Sequence, residues 1–180
     1  FLSKGQYSNY LLFVFGINVG LRCSDLVSLR WKDILYYEDG ELMVERKVRI
    51  QEKKTRRFKK FRDIYLNQSI RDAIDLYIEK TGNVNLEDYI FTSRKGGALL
   101  VRSVQEIMKN ASKEIGIRYN VGSHSLRKTF GYHQLMAHKG DAMFLSSLQK
   151  MFGHSSPETT LRYCGIESDD FEKYYNEVCL

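Results

Sequence analysis

The apolar pattern changes period twice along the chain, and this change constrains the fold more than any other feature. Before residue 34, apolar residues recur at helical spacing, and Gly20 stands where such a helix would stop. Between residues 34 and 66 they alternate around an Asp39–Gly40 turn signal, which is typical of a β-hairpin. Helical spacing then returns. The pattern predicts an α+β fold, mostly α-helical, with a small three-stranded antiparallel sheet and a basic second hairpin.

Capping signals predict where three helices of the C-terminal half begin. Ser123 is expected to cap the first of them. Asp141 is expected to start the next helix, which Gly153 would end. Ser156 precedes a proline and a glutamate, the usual residues of a first helical turn, and is expected to cap the third.

Positive charge is concentrated in one part of the chain. The 180 residues carry a net charge of +6, and the stretch 46–62 holds ten lysines and arginines against one acid, Glu52. A hairpin this basic is unstable unless an anion neutralises it, and a phosphate backbone is the natural counter-charge. We therefore expect a polyanionic partner. No apolar run reaches the length of about 18 residues that spans a membrane, so no membrane association is predicted.

Six residues that suit phosphoryl transfer without a metal are spread along the chain. In order they are Arg22, Lys54, His124, Arg127, His154 and Tyr163. Arginine can hold a phosphate through two parallel hydrogen bonds, and histidine can donate another or move a proton. Tyrosine is a poor nucleophile at neutral pH because its pKa is about 10. Cationic donors around the target phosphate make its ionisation easier and stabilise the added negative charge.

Two of these elements have a predicted local structure. Arg22 precedes Ser24, which is expected to cap a short helix, so Arg22 can point inward at a corner between helices. Asp25, three residues further on, is expected to hold Arg22 by a salt bridge. His124 and Arg127 lie three residues apart at a helix start and should share a face, where backbone amides favour anions.

The most specific pattern is the segment 153–163, Gly-His-Ser-Ser-Pro-Glu-Thr-Thr-Leu-Arg-Tyr. Together with the preceding basic elements in their order, it resembles the catalytic domain of tyrosine site-specific recombinases, the phage integrase family. Phe152 is a departure, because the family pattern has leucine there. The resemblance implies the integrase-like fold of DNA breaking-rejoining enzymes and a single catalytic domain over residues 1–180. It also implies that the upstream core-binding domain of the family is absent from this chain.

The resemblance implies how the target phosphate would be held. Arg22 and Arg127 would hold the non-bridging oxygens of one backbone phosphate, and His154 would donate a hydrogen bond to the same group. His124 would assist proton movement. Asp25 matches the acidic position that supports the first arginine.

The resemblance also implies the covalent chemistry. Tyr163 would attack the phosphate and form a 3′-phosphotyrosyl bond, and Lys54 would protonate the 5′ leaving oxygen. Lys53 remains a competitor for that role. No ATP, metal or other cofactor would be needed, because the bond energy is stored covalently. Further basic residues are expected to contact DNA, namely Lys53, Arg56, Arg57, Lys59 and Lys60.

The implied function is that of a site-specific recombinase or integrase, which integrates or excises a mobile genetic element. The partner would be double-stranded DNA, and the full-length protein would act on it as a homotetramer, whereas the isolated domain would be a monomer. A bacterial or phage gene and a place in the cytoplasm, at the nucleoid, are expected. Two alternatives stay open at this point. They are a type IB topoisomerase-like nicking-closing enzyme and a catalytically inactive DNA-binding accessory protein.

Overall fold

Helices dominate the part of the chain that the structure describes. The structure is a computed structural model and describes residues 1–51, 61–82 and 84–166. The helices are α1 (Tyr7–Val19), α2 (Cys23–Leu26), α3 (Gln68–Thr81), α4 (Val101–Glu114), α5 (Ser123–Ala137), α6 (Ala142–Phe152) and α7 (Pro157–Cys164). Short 3-10 turns cover Leu2–Lys4 and Trp31–Asp33. Within the described ranges, none of the helices combines the length and apolar character needed to cross a membrane.

Within the described residues, four strands form two separate antiparallel pairs. The strands are β1 (Leu35–Glu38), β2 (Glu41–Val44), β3 (Lys47–Ile50) and β4 (Arg62–Tyr65). β1 pairs with β2, and β3 pairs with β4. The mostly helical α+β fold class is thus confirmed, but the single three-stranded sheet is wrong.

The sheet prediction failed because the alternating run that begins in β2 is interrupted before β3. The Glu45 N–H donates to the Ile34 carbonyl, and the Arg46 carbonyl accepts from the Leu66 N–H. Glu45 and Arg46 therefore do not belong to one continuous ladder. The strand before them, β2, pairs with β1, and the strand after them, β3, pairs with β4. In the sequence, this break falls at the charged triplet 45–47, where the alternation of apolar residues is interrupted.

The second pair is the predicted basic hairpin, and an ion-pair network holds its strands together. Asp63 on β4 accepts from Arg49 Nε at 3.0 Å and from Lys47 Nζ at 2.7 Å, both on β3. Hydrogen bonds from Arg49 and Lys47 lower the pKa of the Asp63 carboxyl to about 2. The connecting residues 52–60, which contain most of the predicted basic cluster, lie outside the described ranges.

Helix α1 lies at the centre of the larger of two apolar cores. Most of its apolar side chains are buried, although Phe13 remains 38% exposed. Leu11, Leu12 and Phe15 are among the most completely buried side chains. α1 packs against α3 on one side and α5 on another. Phe15 also meets Phe91 edge to face, which attaches the segment before α4 to this core.

The predicted caps of α6 and α7 are confirmed. The Asp141 side chain accepts hydrogen bonds from the N–H groups of Met143 and Phe144 at the start of α6. The Ser156 hydroxyl accepts from the Thr159 N–H at the start of α7. Each cap satisfies backbone donors that have no partner inside the helix.

The two predicted serine caps lie inside their helices instead. α5 begins at Ser123, and Gly122 is its cap, with the Ser125 hydroxyl accepting from the Gly122 N–H. α2 begins at Cys23, so that the cap is Arg22 rather than Ser24. Both helices start earlier because the preceding residue already has the extended backbone that a cap requires. The shift matters for Arg22, since it fixes this residue at the entrance of α2.

A second, smaller core joins the last three helices. It contains Phe130 and Leu135 of α5, Leu148 and Phe152 of α6, and Cys164 of α7. The packing is tightest at Gly131 in α5. A Cβ atom there would lie 2.5 Å from Cys164 Sγ and 2.9 Å from the Phe152 ring. Glycine at this position therefore lets three helices approach one another closely.

Gly131→Ala should destabilise the fold although alanine favours helices. The added methyl group overpacks the contact with Phe152 and Cys164, which costs about 1–3 kcal/mol. Gly97→Ala is the matched control, because a Cβ atom there meets nothing within 4 Å. Urea unfolding should place the control within about 0.5 kcal/mol of the unmutated chain. Equal stability of the two variants would contradict the close packing of α5, α6 and α7.

Candidate active site

Two arginines from distant parts of the chain meet at one backbone carbonyl. Arg127 Nη2 on α5 donates to the Phe152 carbonyl at 2.8 Å, and Arg22 Nη2 at the start of α2 donates to the same oxygen at 3.2 Å. Phe152 is the last residue of α6, where carbonyl groups lack partners inside the helix. The pair of guanidinium groups thus gathers at a helix C-terminus, which is also the negative end of the helix dipole.

The sequence Gly153–His154 forms the turn that presents this carbonyl. Gly153 has φ of 63°, in the left-handed region, and its N–H donates to the Lys150 carbonyl. The His154 N–H donates to the Gln149 carbonyl at 3.1 Å, which completes a Schellman motif. The Gln149 side chain in turn donates to the His154 carbonyl at 3.2 Å. The histidine backbone is therefore held on both sides.

The Phe152 ring is the apolar support of the site. The Arg127 guanidinium carbon lies 4.3 Å from the centre of this ring, within cation–π range. The rings of His154 and Tyr163 meet it edge to face, with centroids at 5.3 Å and 5.5 Å. His154 and Tyr163 also contact each other, at 5.1 Å between centroids. Arg127, His154 and Tyr163 are therefore all packed around one phenylalanine.

Burial and charge act in opposite directions on the Tyr163 phenol. Burial, the largest influence, raises the pKa of Tyr163, and the neighbouring Cys164 raises it further. The positive charges of Arg127 and Arg22 lower it. The net pKa is raised, so the group is a neutral phenol at neutral pH. Burial also raises the pKa of the Cys164 thiol to about 11, which keeps this neighbour uncharged.

The structure brings together four of the six residues that the sequence singled out, namely Arg22, Arg127, His154 and Tyr163. His124 lies in the first turn of α5 and is exposed, whereas Arg127 is buried with 4% exposure. The shared face that their spacing predicted is thus split between solvent and core. Asp25 is buried on α2, three residues after Arg22.

The remaining predicted residues cannot be placed. Lys54 and the whole DNA-contact set lie outside the described ranges, that is Lys53, Arg56, Arg57, Lys59 and Lys60. The assignment of the general acid therefore stays a prediction, as does the choice between the two lysines.

Three residues near the site were not identified from the sequence. In the sequence, Phe152 is notable only because the family pattern has leucine there, yet its carbonyl binds Arg127 and its ring contacts Tyr163. Lys128 Nζ lies 5.6 Å from the centre of the Tyr163 ring. Thr160 is fully buried beside His154. Their only signal in the sequence was position, since each lies within three residues of a chosen residue.

Comparison with known proteins identifies a family. The model of the phage integrase family matches residues 2–168. The chain is 33% identical to the probable integrase/recombinase YoeC of Bacillus subtilis, over 97% of this chain and 87% of that protein. It is 29% identical to the tyrosine recombinase XerC of Bacillus licheniformis, over 93% of this chain but 52% of that protein.

Solved structures share the fold. The XerA recombinase superposes with a TM-score of 0.70 at 19% identity, over 97% of this chain and 57% of that one. The XerH site-specific recombinase, in a pre-cleavage complex with its difH substrate, superposes with a TM-score of 0.63 at 24% identity, over 87% of this chain and 42% of that one. The chain thus spans about half the length of several recombinases that it matches.

These matches confirm the resemblance noted from the sequence and the tyrosine recombinase class. The family model covers both cores and every element of the described site. The chain belongs to the phage integrase family.

Proposed function

We propose that this chain cuts and rejoins DNA strands in site-specific recombination, with Tyr163 as the nucleophile. The observation that carries the proposal is the convergence of Arg22 and Arg127 on one oxygen atom, beside His154 and Tyr163. Two guanidinium groups that can reach one carbonyl oxygen can also reach the two non-bridging oxygens of one phosphate. Each guanidinium has five N–H donors in a planar fork, a geometry that matches two oxygens of one phosphate.

The proposed reaction needs only one covalent step and its reverse. The Tyr163 oxygen attacks the phosphorus atom, the bond to the 5′ oxygen breaks, and a 3′-phosphotyrosyl bond forms. The phenol loses its proton, and the leaving 5′ oxygen gains one. A 5′ hydroxyl from a partner strand then attacks the same phosphorus atom and releases the tyrosine. The phosphodiester energy is kept in the intermediate, so the reaction consumes no ATP.

The cationic residues have complementary roles in this step. Arg22, Arg127 and His154 would neutralise the charge that builds on the non-bridging oxygens, which is the main source of catalysis in such sites. Lys54 would protonate the leaving oxygen, with Lys53 as the other candidate. His124, which is exposed in the first turn of α5, would assist proton movement.

A basic groove on the described surface suits a DNA backbone. It has a volume of about 890 Å³ and runs between the turn at residues 94–97 and the exposed side of α4. Three cations line it, Arg94, Lys95 and Arg102, against a single acid, Glu106. Its charge favours binding of the phosphates of a DNA backbone.

The remaining features of the proposal concern organisation. We propose that residues 1–180 are one catalytic domain, supported by the way α5 contacts both cores. Double-stranded DNA is the proposed partner, and the structurally similar XerH recombinase was solved bound to its difH substrate. A homotetramer would assemble on DNA, and the isolated chain would be a monomer. The proposed setting is the bacterial cytoplasm, at the nucleoid, where a mobile element would be integrated or excised.

Tyr163→Phe should abolish a covalent DNA adduct without affecting folding, because only the attacking oxygen is lost. A pool of nicked duplexes with a randomised core can be incubated with the chain, and adducts recovered by precipitation of protein-bound DNA in SDS. Tyr119→Phe is the matched control, since Tyr119 is 74% exposed, and it should trap as much DNA as the unmutated chain. No adduct from the unmutated chain, with DNA binding intact, would favour the inactive accessory protein.

Strand exchange between two copies of the recovered DNA site then distinguishes a recombinase from a topoisomerase-like enzyme. A recombinase joins strands from different duplexes, whereas a topoisomerase-like enzyme reseals only the strand that it cut. Relaxation of supercoiled DNA without exchange products would support the nicking-closing alternative.

Arg22→Gln should raise the pKa of Tyr163 further, because it removes a positive charge that lowers this pKa. Carbon NMR of chain labelled at tyrosine Cζ can follow the titration, with the Tyr163 signal assigned from Tyr163→Phe. Arg71→Gln is the matched control, because Arg71 is also half-buried and also donates to a backbone carbonyl, that of Leu66. Cleavage by Arg22→Gln should fall by about 10²–10³. An unchanged Tyr163 titration would contradict the proposed electrostatic link.

Lys95→Ala should weaken binding to random-sequence duplex DNA and make it less sensitive to salt. Each lost phosphate contact lowers the slope of log affinity against log salt by about 0.9. Fluorescence anisotropy over a range of KCl concentrations measures this slope. Lys80→Ala serves as control, because Lys80 is exposed at the end of α3 and ion-pairs with Glu79. Equal slopes for the two variants would exclude a phosphate contact in the groove.

A further inference from the structure

One residue of α6, Gln149, binds both backbone groups of His154. The Gln149 carbonyl accepts from the His154 N–H at 3.1 Å, which is the longer-range bond of the Schellman motif. The Gln149 side chain is half-buried, and its amide donates to the His154 carbonyl at 3.2 Å. A carbonyl oxygen only accepts, so the NH₂ end of the amide faces it. Gln149 therefore contacts His154 on both sides of its Cα atom.

Fixing these two groups determines where the histidine side chain points. The N–H of His154 belongs to the peptide plane before its Cα atom, and the carbonyl belongs to the plane after it. When both planes are held, the backbone dihedral angles of His154 and the direction of its Cα–Cβ bond are determined. The imidazole ring then keeps only its two side-chain torsions.

The surroundings of the ring restrict these torsions. The His154 ring meets the rings of Phe152 and Tyr163 edge to face, with centroids at 5.3 Å and 5.1 Å. Its Nδ1 atom lies 3.1 Å from the Thr160 hydroxyl. These three contacts can form together only when the His154 backbone has the right conformation. The hydrogen bond from the Gln149 amide thus contributes to the place of the ring, although it touches only the backbone.

We propose that Gln149 is a positioning residue for His154, which holds the imidazole ring beside Tyr163 before DNA binds. The inference rests on the proposed function, because it takes His154 as a group that binds the target phosphate. A group that already stands in place needs no ordering when the substrate arrives, so the barrier to reaction is lower. The amide of glutamine is uncharged, so it can hold the turn without opposing the positive charges of the arginines.

Gln149→Met removes the side-chain hydrogen bond and changes little else. Methionine has nearly the same length and helix propensity as glutamine but has no donor. We expect DNA cleavage to fall about fivefold, the factor that one hydrogen bond of ordinary strength is worth. Gln134→Met is the matched control, because Gln134 is also half-buried and its carbonyl also accepts from the N–H of a later histidine, His138. The control should cleave within about twofold of the unmutated chain.

Proton NMR of the His154 ring reports its position without DNA. The rings of Phe152 and Tyr163 shift the signals of the His154 ring protons, because all three rings are in contact. In Gln149→Met these signals should move toward those of an unstructured histidine, while the signals of the other three histidines stay in place. A general loss of stability would change the amount of unfolded chain but not the signals of the folded chain. The His154 signals are assigned from His154→Ala. Unchanged His154 signals in Gln149→Met would overturn the proposal.

A double-mutant cycle shows whether Gln149 acts through the His154 side chain. In a His154→Ala background, Gln149→Met should change cleavage less than about twofold, since the ring that Gln149 positions is gone. A loss of about fivefold that persists there would show that Gln149 acts on another group, such as the Phe152 carbonyl, and would refute the inference. If Gln149→Met does not fold, Gln149→Glu at neutral pH gives the same test, because a carboxylate keeps the shape of the amide and has no proton to donate.

The two proposals can fail separately. Absence of any adduct from the unmutated chain contradicts the recombinase function, and the catalytic benefit of placing His154 falls with it. Unchanged His154 ring signals in Gln149→Met contradict the positioning role, even where the unmutated chain forms the adduct.

Discussion

The carbonyl of Phe152 is the point on which the site depends. An α-helix leaves its last carbonyl groups without internal partners, and such groups need donors when they are buried. Here the donors are the two arginines, so that the end of α6 is completed by side chains from the start of α2 and from α5. The same hydrogen bonds that finish a helix therefore bring together two cations, which would otherwise repel each other in a partly buried place.

The second constraint is the balance between burial and positive charge, which shift the pKa of Tyr163 in opposite directions. A nucleophile that is shielded from water is protected from side reactions, but burial makes its ionisation harder. The nearby guanidinium groups oppose this effect only in part, since the net pKa is raised. The resting site therefore holds a neutral phenol, which must lose its proton before its oxygen can act as a nucleophile.

Residue order and chemistry predicted more of the site than of its framework. Arg22, Arg127, His154 and Tyr163 were singled out by the type and order of their residues, and the structure brings these four side chains together. The caps at Asp141 and Ser156 were also predicted, because side-chain capping is local. The supporting role of Phe152 was not, because it resides in a backbone carbonyl, and backbone atoms are the same in every residue. The single three-stranded sheet failed for a related reason, since the hydrogen bonds of Glu45 and Arg46 depend on distant partners.

The Schellman turn at the end of α6 has a consequence for how this chain can vary in length. Inserting one residue into α6 would rotate its last carbonyl by about 100° and move it about 1.5 Å along the axis, away from both arginines. The number of residues in the helix between Asp141 and Gly153 is therefore fixed by these contacts. In the described residues, the connection between α4 and α5 does not position a hydrogen-bonding group of the cluster in this way. Insertions and deletions among natural variants of this chain should therefore accumulate there and be absent from α6.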